Sequence, residues 1–444
     1  MNALFKSFIG FAISLLLLSL FFGIIAALAF FKLDYFTNIM SFEQVRPFHV
    51  SAALFWIISG AAGSILYYKK WAFPDAKQYD KFSIAFIVIW VLTILTIFIS
   101  YCFEQYGGRE YWEFPPVLNI FILLAWICLM ISFFGTLLQS AKDKPLYVYM
   151  WSTGILFFLF TFIEQNLWHI PWFRNSFLKE MTIQWKSNGS MVGAWNQMIY
   201  GSAIYLMVKI SGDESIAKSR KAYFAYFLGL TNLIFNWGHH IYNVPSASWI
   251  RDVSYGISMT EWLLLIGIIQ GFKSKLEERE KFRYLLTYKF LIASEFWIFL
   301  NLVLALFMSI PAINRYTHGT HITVAHAMGT TIGINTMILL ASISYILKMD
   351  EDKNKKMRLH LNIGYWTSQL SLLVFWVALI VAGIIKGYRA ITLKITVFTE
   401  LMEPVLKVLK VFMYSGFVLA IGLTIICWIM LGHLKEVLGG KDVK

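Results

Sequence analysis

Long apolar runs constrain this chain more than any other feature of its sequence. A helix needs about 20 apolar residues to cross the hydrocarbon core of a bilayer. Charged residues make up only 14% of the chain, against roughly 25% in a typical soluble domain. The sequence therefore predicts an all-α polytopic membrane protein that forms a single domain over residues 1–444. The twelve predicted transmembrane helices cover residues 6–30, 48–68, 84–102, 117–138, 146–165, 191–210, 223–240, 254–272, 288–310, 322–347, 363–385 and 411–432.

The positions of lysine and arginine predict the orientation of these spans. Of the 38 Lys and Arg residues, 25 fall in the termini and alternate loops that share one side of the membrane, and 13 fall on the other side. By the positive-inside rule both termini are cytoplasmic, and we expect the bacterial inner membrane. The net charge of +13 is then mostly a cytoplasmic fringe, as at 273–283 and 348–358. Such a fringe suits anionic lipid, and nothing in it indicates nucleic-acid binding.

Histidines are the distinctive polar residues of the predicted spans. His49 opens the second span, His239 and His240 close the seventh, and His326 lies inside the tenth, all on the side predicted to be external. Histidine inside a bilayer is costly and usually faces a cofactor, a partner or a water-filled cavity. Hydrogen-bonded packing is the alternative for any one of them. Four at one membrane depth favour a shared cofactor site.

The tenth span also carries a methionine that can bind a metal. His326 and Met328 are two residues apart, which turns them about 200° around a helix, so that they face opposite sides. One helix can therefore serve two separate metal centres. The thioether of Met328 can ligate haem iron, and a His/Met pair has a higher reduction potential than two imidazoles. Core packing is the alternative, because the chain has 17 methionines.

Five short stretches, in this order on a chain of twelve predicted spans, carry a family resemblance. The chain resembles the catalytic subunit of respiratory nitric oxide reductases, a branch of the haem-copper oxidase superfamily, over nearly its whole length. The resemblance implies a subunit I-like helical bundle with a low-spin haem b, a high-spin haem b and a non-haem iron close to the latter. The stretches are SFEQVRPFH at 41–49, GREYWEFP at 108–115, GAWNQMIYGSAIYLMVKISG at 193–212, WGHHIY at 237–242 and YTHGTHITVAHAMG at 316–329.

The resemblance assigns roles to the histidines. His49 matches a ligand of the low-spin haem, and His326 matches the proximal ligand of the high-spin haem. His239 and His240 match two ligands of the non-haem iron. Two imidazoles at a helix end can converge on one metal if a third ligand comes from another helix.

Four charged residues also match family positions. Arg46 and Arg109 resemble partners of haem propionates, a charge-assisted pairing. Glu110 matches a carboxylate that helps to hold a calcium ion together with a partner subunit. For these three residues, ordinary loop charges are the alternative. Glu261 matches a buried glutamate near the active site, and its place inside the eighth span favours a functional role, either as a proton carrier or as a carboxylate next to the metal ligands.

The sequence departs from the reductase pattern at the metal site. Asn188 stands where reductases have the third iron-binding histidine, and Val192 and Asn196 replace two glutamates on the same helix. Met328 replaces the second histidine of the low-spin haem. An amide oxygen is a weaker ligand than imidazole, so we expect a loosely held iron or copper. Glu295, in the ninth span, has no family match.

Several functions follow from this pattern. The first is conversion of nitric oxide, by reduction to nitrous oxide or by dismutation, with electrons from a cytochrome c-type subunit or a soluble donor. The second is an oxygen-reducing terminal oxidase. Such enzymes usually pair a copper-binding histidine with a cross-linked tyrosine. Position 192 is valine, and the seventh span has no tyrosine between Tyr226, near its start, and His239, so the sequence disfavours this function. The third is a haem gas sensor or electron conduit without turnover. A haem-free transporter is the most distant alternative.

Overall fold

The computed structural model describes residues 2–31, 40–140, 144–270, 282, 285–352 and 354–439. The basic stretch 273–283, apart from Phe282, lies outside the described residues, as do Met1 and 440–444 at the termini. The described part contains no strand, which confirms the all-α class. Its α-helices of eight residues or more are α1 (Asn2–Phe30), α2 (Phe42–Ala72), α3 (Asp80–Cys102), α4 (Leu118–Leu137), α5 (Leu146–Gln165), α6 (Phe177–Ser211), α7 (Arg220–Phe235), α8 (Ser248–Met259), α9 (Glu261–Gln270), α10 (Leu286–Ser309), α11 (His321–Met328), α12 (Met337–Ile346), α13 (Lys355–Ile391) and α14 (Phe398–Leu438).

Nine helical segments of the described part are long and apolar enough to cross a membrane. They are α1 to α4, α5 with its extension to His169, α10, the continuous helical segment His321–Ile346, α13 and α14. Each coincides with one of the twelve predicted spans. Multiple apolar helices of this kind indicate an integral membrane protein.

The other three predicted spans are not confirmed, so the count of twelve is not confirmed. Helix α6 covers 191–210, but polar residues such as Asn196 and Gln197 lower its apolar content. Helix α7 has 16 residues, which are too few to cross the membrane. It ends at Phe235 because the chain continues as a 3₁₀ helix over Asn236–Ile241. The span at 254–272 is divided between α8 and α9, which meet at Thr260.

The described chain falls into two compact units. The first comprises Met1–Lys144, Ile343–Ser368 and Gly416–Lys444, and the second comprises Pro145–Ser342 and Gln369–Ser415. In the first unit, Trp90 and Trp126 are fully buried with their ring centroids 5.9 Å apart. The indole of Trp90 donates a hydrogen bond to Ser59 Oγ at 2.8 Å, which satisfies the polar atom of a buried tryptophan.

In the second unit, small residues bring α5 and α6 close together. A Cβ atom at Gly154 would lie 2.7 Å from the carbonyl oxygen of Ala194, and one at Gly201 would lie 2.8 Å from the ring of Trp151. Glycine therefore allows a backbone approach that larger side chains prevent, as is common between membrane helices. This packing fixes α6, the helix that carries Asn188.

A π-helix over Gly329–Thr336 joins α11 to α12. It packs on α10, where a Cβ atom at Gly333 would overlap the ring of Trp297 and one at Gly329 would meet the side chain of Asn301. Asn301 Nδ2 donates to Thr330 Oγ1 at 2.7 Å. π-Helical turns are rare and occur frequently at functional sites. This one begins directly after Met328.

Candidate functional site

The two adjacent histidines lie in the 3₁₀ helix that follows α7. Their ring centroids are 4.1 Å apart, with an angle of 42° between the planes, and both residues are half-buried. Gly238 lies just before them, and a Cβ atom there would come 2.7 Å from Ser254 Cβ. Only glycine lets α8 approach the backbone at this point. The short helix therefore presents His239 and His240 together.

One side chain that the sequence did not single out organises this pair. His239 Nδ1 lies 2.9 Å from Asn236 Oδ1, and the hydroxyl of Ser258 donates to the same oxygen. Asn236 Nδ2 donates to Glu261 Oε1 at 3.3 Å. The amide of Asn236 therefore connects Glu261, at the start of α9, to His239. The only sequence signal for this role was an asparagine three residues before a histidine.

Helix α6 borders the pair on another side. A Cβ atom at Gly189 would lie 3.3 Å from His240 Cδ2 and 3.5 Å from its Nε2. The ring of Trp185 stacks on His240 at a centroid distance of 5.6 Å and an angle of 14°. Trp185 also meets the ring of His318 edge-on at 6.3 Å. Asn188 directly precedes Gly189, so its backbone belongs to the segment that faces His240, and its role as a ligand stays a prediction.

His326 and Met328 are the sixth and last residues of α11. Because that segment is α-helical, the rotation of about 200° between them applies, and they lie on opposite sides of α11. His326 Nδ1 is buried and has no hydrogen-bond partner among the described residues. An imidazole left unpaired in this way fits a ligand to a bound group.

His49 lies on α2, in the first unit, with its side chain against α1. Its Nδ1 atom donates to the backbone carbonyl of Ser19 at 2.8 Å. A Cβ atom at Gly23 would lie 2.9 Å from the imidazole, so α1 comes against the ring only because position 23 is glycine. With Nδ1 bound to an oxygen, Nε2 is left as the ligating atom.

The charged residues predicted near the haem propionates form a cluster of their own. Arg46 Nη2 lies 3.1 Å from Glu110 Oε1, and Arg46 Nη1 pairs with Glu113. Glu113 was not among the predicted site residues. The structure shows that its side chain is only 14% exposed. Burial raises the pKa of Glu113, in opposition to the Arg46 charge. Arg109 pairs through its backbone with Trp112, closing a tight turn beside this cluster.

The positions that depart from the reductase pattern have partners as well. Asn335, fully buried in the π-helix, donates through Nδ2 to Asn196 Oδ1 at 3.0 Å. An amide pair therefore stands where the resemblance placed a glutamate. Val192 offers no polar group, and Glu295 is half-buried in α10.

The donor set fits a weakly held metal. Within the residues that the structure describes, no group of three or more His, Cys, Asp or Glu side chains is placed to hold a metal ion. His239 and His240 supply two imidazoles, and the Nδ1 contact of His239 leaves its Nε2 available. Two imidazoles leave room for a further ligand, and the amide oxygen of Asn188 is one of the ligand types that a metal could accept there.

Comparison with known proteins gives the family. A sequence model described as Cytochrome C and Quinol oxidase polypeptide I matches residues 3–430. A nitric oxide reductase subunit of Stutzerimonas stutzeri is 22% identical over 421 residues, which cover 87% of this chain and 84% of the relative. Cytochrome c oxidase subunit 1 of Rhodobacter capsulatus is 22% identical over 379 residues, covering 80% and 69%. The Cbb3-type cytochrome c oxidase subunit CcoN1 of Stutzerimonas stutzeri is 23% identical over 366 residues, covering 79% and 76%.

The fold agrees with this assignment. A solved haem-copper terminal oxidase dimer matches 98% of this chain and 84% of its own chain, with a TM-score of 0.74 at 14% identity. The sequence match spans nearly every described helix. The chain therefore belongs to the haem-copper oxidase subunit I family, whose members are membrane oxidoreductases that bind haems and a metal centre.

Proposed function

We propose that this protein converts nitric oxide at a high-spin haem b held by His326, beside a non-haem iron or copper held by His239 and His240. One observation carries the proposal: the two histidines lie together in the 3₁₀ helix, with His239 linked through Asn236 to Glu261. The similarity to the nitric oxide reductase of Stutzerimonas stutzeri over most of the chain supports it. Reduction to nitrous oxide and dismutation both remain within this proposal.

The residues of the proposed site have different roles. His239 and His240 bind the metal, and Asn188 adds a weak oxygen ligand. Glu261 holds a proton next to Asn236, and Val192 cannot carry one. When bound, the haem and the metal supply electrons and a place for a small gas molecule. Because Asn196 is an amide paired with Asn335, we expect slower proton delivery and slower turnover than in ordinary reductases.

Electron entry is proposed from the resemblance. His49 and Met328 would hold a low-spin haem b, and this haem would supply the entry point for electrons from a cytochrome c-type subunit or a soluble donor. Arg46 and Arg109 would pair with the haem propionates, and Glu110 would contribute to a calcium site. The pairing of Arg46 with Glu110 and Glu113 keeps these charges together. The protein lies in a bacterial inner membrane with both termini in the cytoplasm.

Oxygen reduction is the second candidate function. The observation in its favour is that oxidase subunits match this chain at 22% and 23% identity, no less than the reductase does. A haem gas sensor or electron conduit is the third candidate, and the two-imidazole metal site favours it.

Gas analysis of the purified protein separates these candidates. We expect reduced protein to consume nitric oxide and to release nitrous oxide, or dinitrogen and oxygen. His239→Ala and His240→Ala should each lose the non-haem metal while both haems remain. Asn188→His should retain the metal better than the natural chain. Consumption of oxygen without consumption of nitric oxide would replace the proposal with the oxidase, and consumption of neither gas would replace it with the sensor or conduit.

A further inference from the structure

The side chain of Asn236 is held in one orientation by its neighbours. Its Oδ1 accepts from the Ser258 hydroxyl and faces His239 Nδ1 at 2.9 Å. Its Nδ2 faces Glu261 Oε1 at 3.3 Å. Turning the amide over would set Oδ1 against the Glu261 oxygen and Nδ2 against the Ser258 hydroxyl, which would lose its acceptor. The contacts therefore identify Oδ1 as the atom that faces the imidazole.

The backbone of Asn236 is fixed as well. Its carbonyl accepts a hydrogen bond from Ser254 Oγ at 2.9 Å, so α8 holds both the main chain and, through Ser258, the side chain. Asn314 Nδ2 also donates to the backbone carbonyl of His239 at 3.3 Å. Contacts from α8 and from Asn314 therefore hold the backbone of both residues in the contact between the Asn236 amide and the His239 imidazole.

The local helix type places the two side chains together. A 3₁₀ helix has three residues per turn, so the side chains at i and i+3 eclipse each other. Asn236 and His239 are three residues apart at the start of the Asn236–Ile241 segment. Had α7 continued through this stretch, the pair would have been offset around the helix. The end of α7 at Phe235 is therefore what brings the amide over the imidazole.

This contact decides which nitrogen of His239 carries the proton. A neutral imidazole has one N–H and one lone pair, and an acceptor beside Nδ1 keeps the proton there. The lone pair is then on Nε2. We propose that Asn236 is a positioning residue that fixes His239 as the Nδ1–H tautomer, so that Nε2 carries the lone pair that would bind a metal, with Glu261 holding the amide in place. This inference rests on the proposed metal at His239 and His240.

The test uses the tautomer itself as its readout. In full-length, metal-depleted protein labelled with ¹⁵N-histidine, the resonances of His239 are assigned by their loss in His239→Gln. We expect an Nδ1–H signature in the natural chain, in Asn236→Asp, which keeps the acceptor oxygen, and in the matched control Asn232→Ala. Asn232 is a buried asparagine one turn earlier that donates only to its own helix, at Leu228 O. Asn236→Ala should lose the signature.

Metal retention gives the second readout. Titration with Fe²⁺ against a chelator should show that Asn236→Ala binds the metal about 10–100-fold more weakly than the natural chain, whereas Asn232→Ala should not. An Nε2–H signature in the natural chain, or an unchanged Nδ1–H signature in Asn236→Ala, would overturn the inference. The first of these needs no variant of Asn236 to fold. If the tautomer follows Asn236 but the natural chain binds no metal, the positioning of His239 stands and the proposed function fails.

Discussion

At the scale of single residues, an oxygen atom beside Nδ1 determines how two predicted ligands are oriented. His49 donates to a backbone carbonyl of α1, and His239 donates to a side-chain amide. In both cases Nε2 is the atom left to bind a metal. His326 differs, because its Nδ1 has no hydrogen-bond partner among the described residues.

Gly23 gives a test of the His49 position. In Gly23→Ala the added methyl group would meet the imidazole at 2.9 Å, so the ring or α1 must move. We expect a loss of low-spin haem absorbance and a destabilisation of roughly 1–3 kcal/mol from overpacking. Gly432→Ala is the matched control, since a Cβ atom there meets nothing within 4 Å. Identical haem spectra for the two variants would contradict a ligand role for His49.

Met328 can be tested by replacing its thioether. Met328→His should lower the reduction potential of the low-spin haem and give the spectrum of a bis-histidine centre, because imidazole favours the oxidised iron more than a thioether does. Redox titration followed by absorbance measures both effects. An unchanged low-spin spectrum would show that Met328 is not a ligand and that it packs in the core.

At the scale of helices, two irregular helical segments carry or border the candidate site residues. The 3₁₀ helix at Asn236–Ile241 presents the histidine pair, and the π-helix at Gly329–Thr336 begins directly after Met328. Each irregular segment is held by side-chain amides: Asn236 on Glu261, and Asn335 on Asn196. Where the α-helical hydrogen-bond pattern is interrupted, these amides stabilise the chain through side-chain hydrogen bonds.

The Asn196–Asn335 pair should be coupled in stability. Asn196→Ala and Asn335→Ala should each lower the free energy of unfolding by about 1–3 kcal/mol, because each removes the hydrogen bond between the two amides and Asn196→Ala leaves the buried amide of Asn335 without its partner. The double variant should cost less than the sum of the two single costs. Chemical unfolding in detergent measures the cycle. Strict additivity would mean that the two amides do not support each other.

At the scale of the whole molecule, the asymmetry of Lys and Arg between the predicted loops predicts the orientation of the chain in the membrane. A reporter fused after Lys444 that is active only in the cytoplasm should be active, and one that needs export should be silent. The same fusions placed in the 166–190 loop should give the opposite result. Activity of the export-dependent reporter at Lys444 would overturn the predicted topology.

The sequence by itself determined the helical class, nine of the membrane spans and the residue types of the site. Length and apolarity are local properties, so a window of about 20 residues identifies a spanning helix without knowledge of its neighbours. The five motifs likewise carried the family, because the matching residues are read directly from the chain.

The tertiary structure alone decided where α7 ends and which groups hold the predicted ligands. The apolar run extended the seventh predicted span through residue 240, but α7 ends at Phe235. Contacts from α8 and α9 favour the 3₁₀ turn in which Asn236 meets His239. The partner of Asn196 lies 139 residues further along the chain, and the second carboxylate on Arg46 lies 67 residues away. Side-chain hydrogen bonds between such distant residues leave no local pattern, because they form only when packing has already brought the helices together.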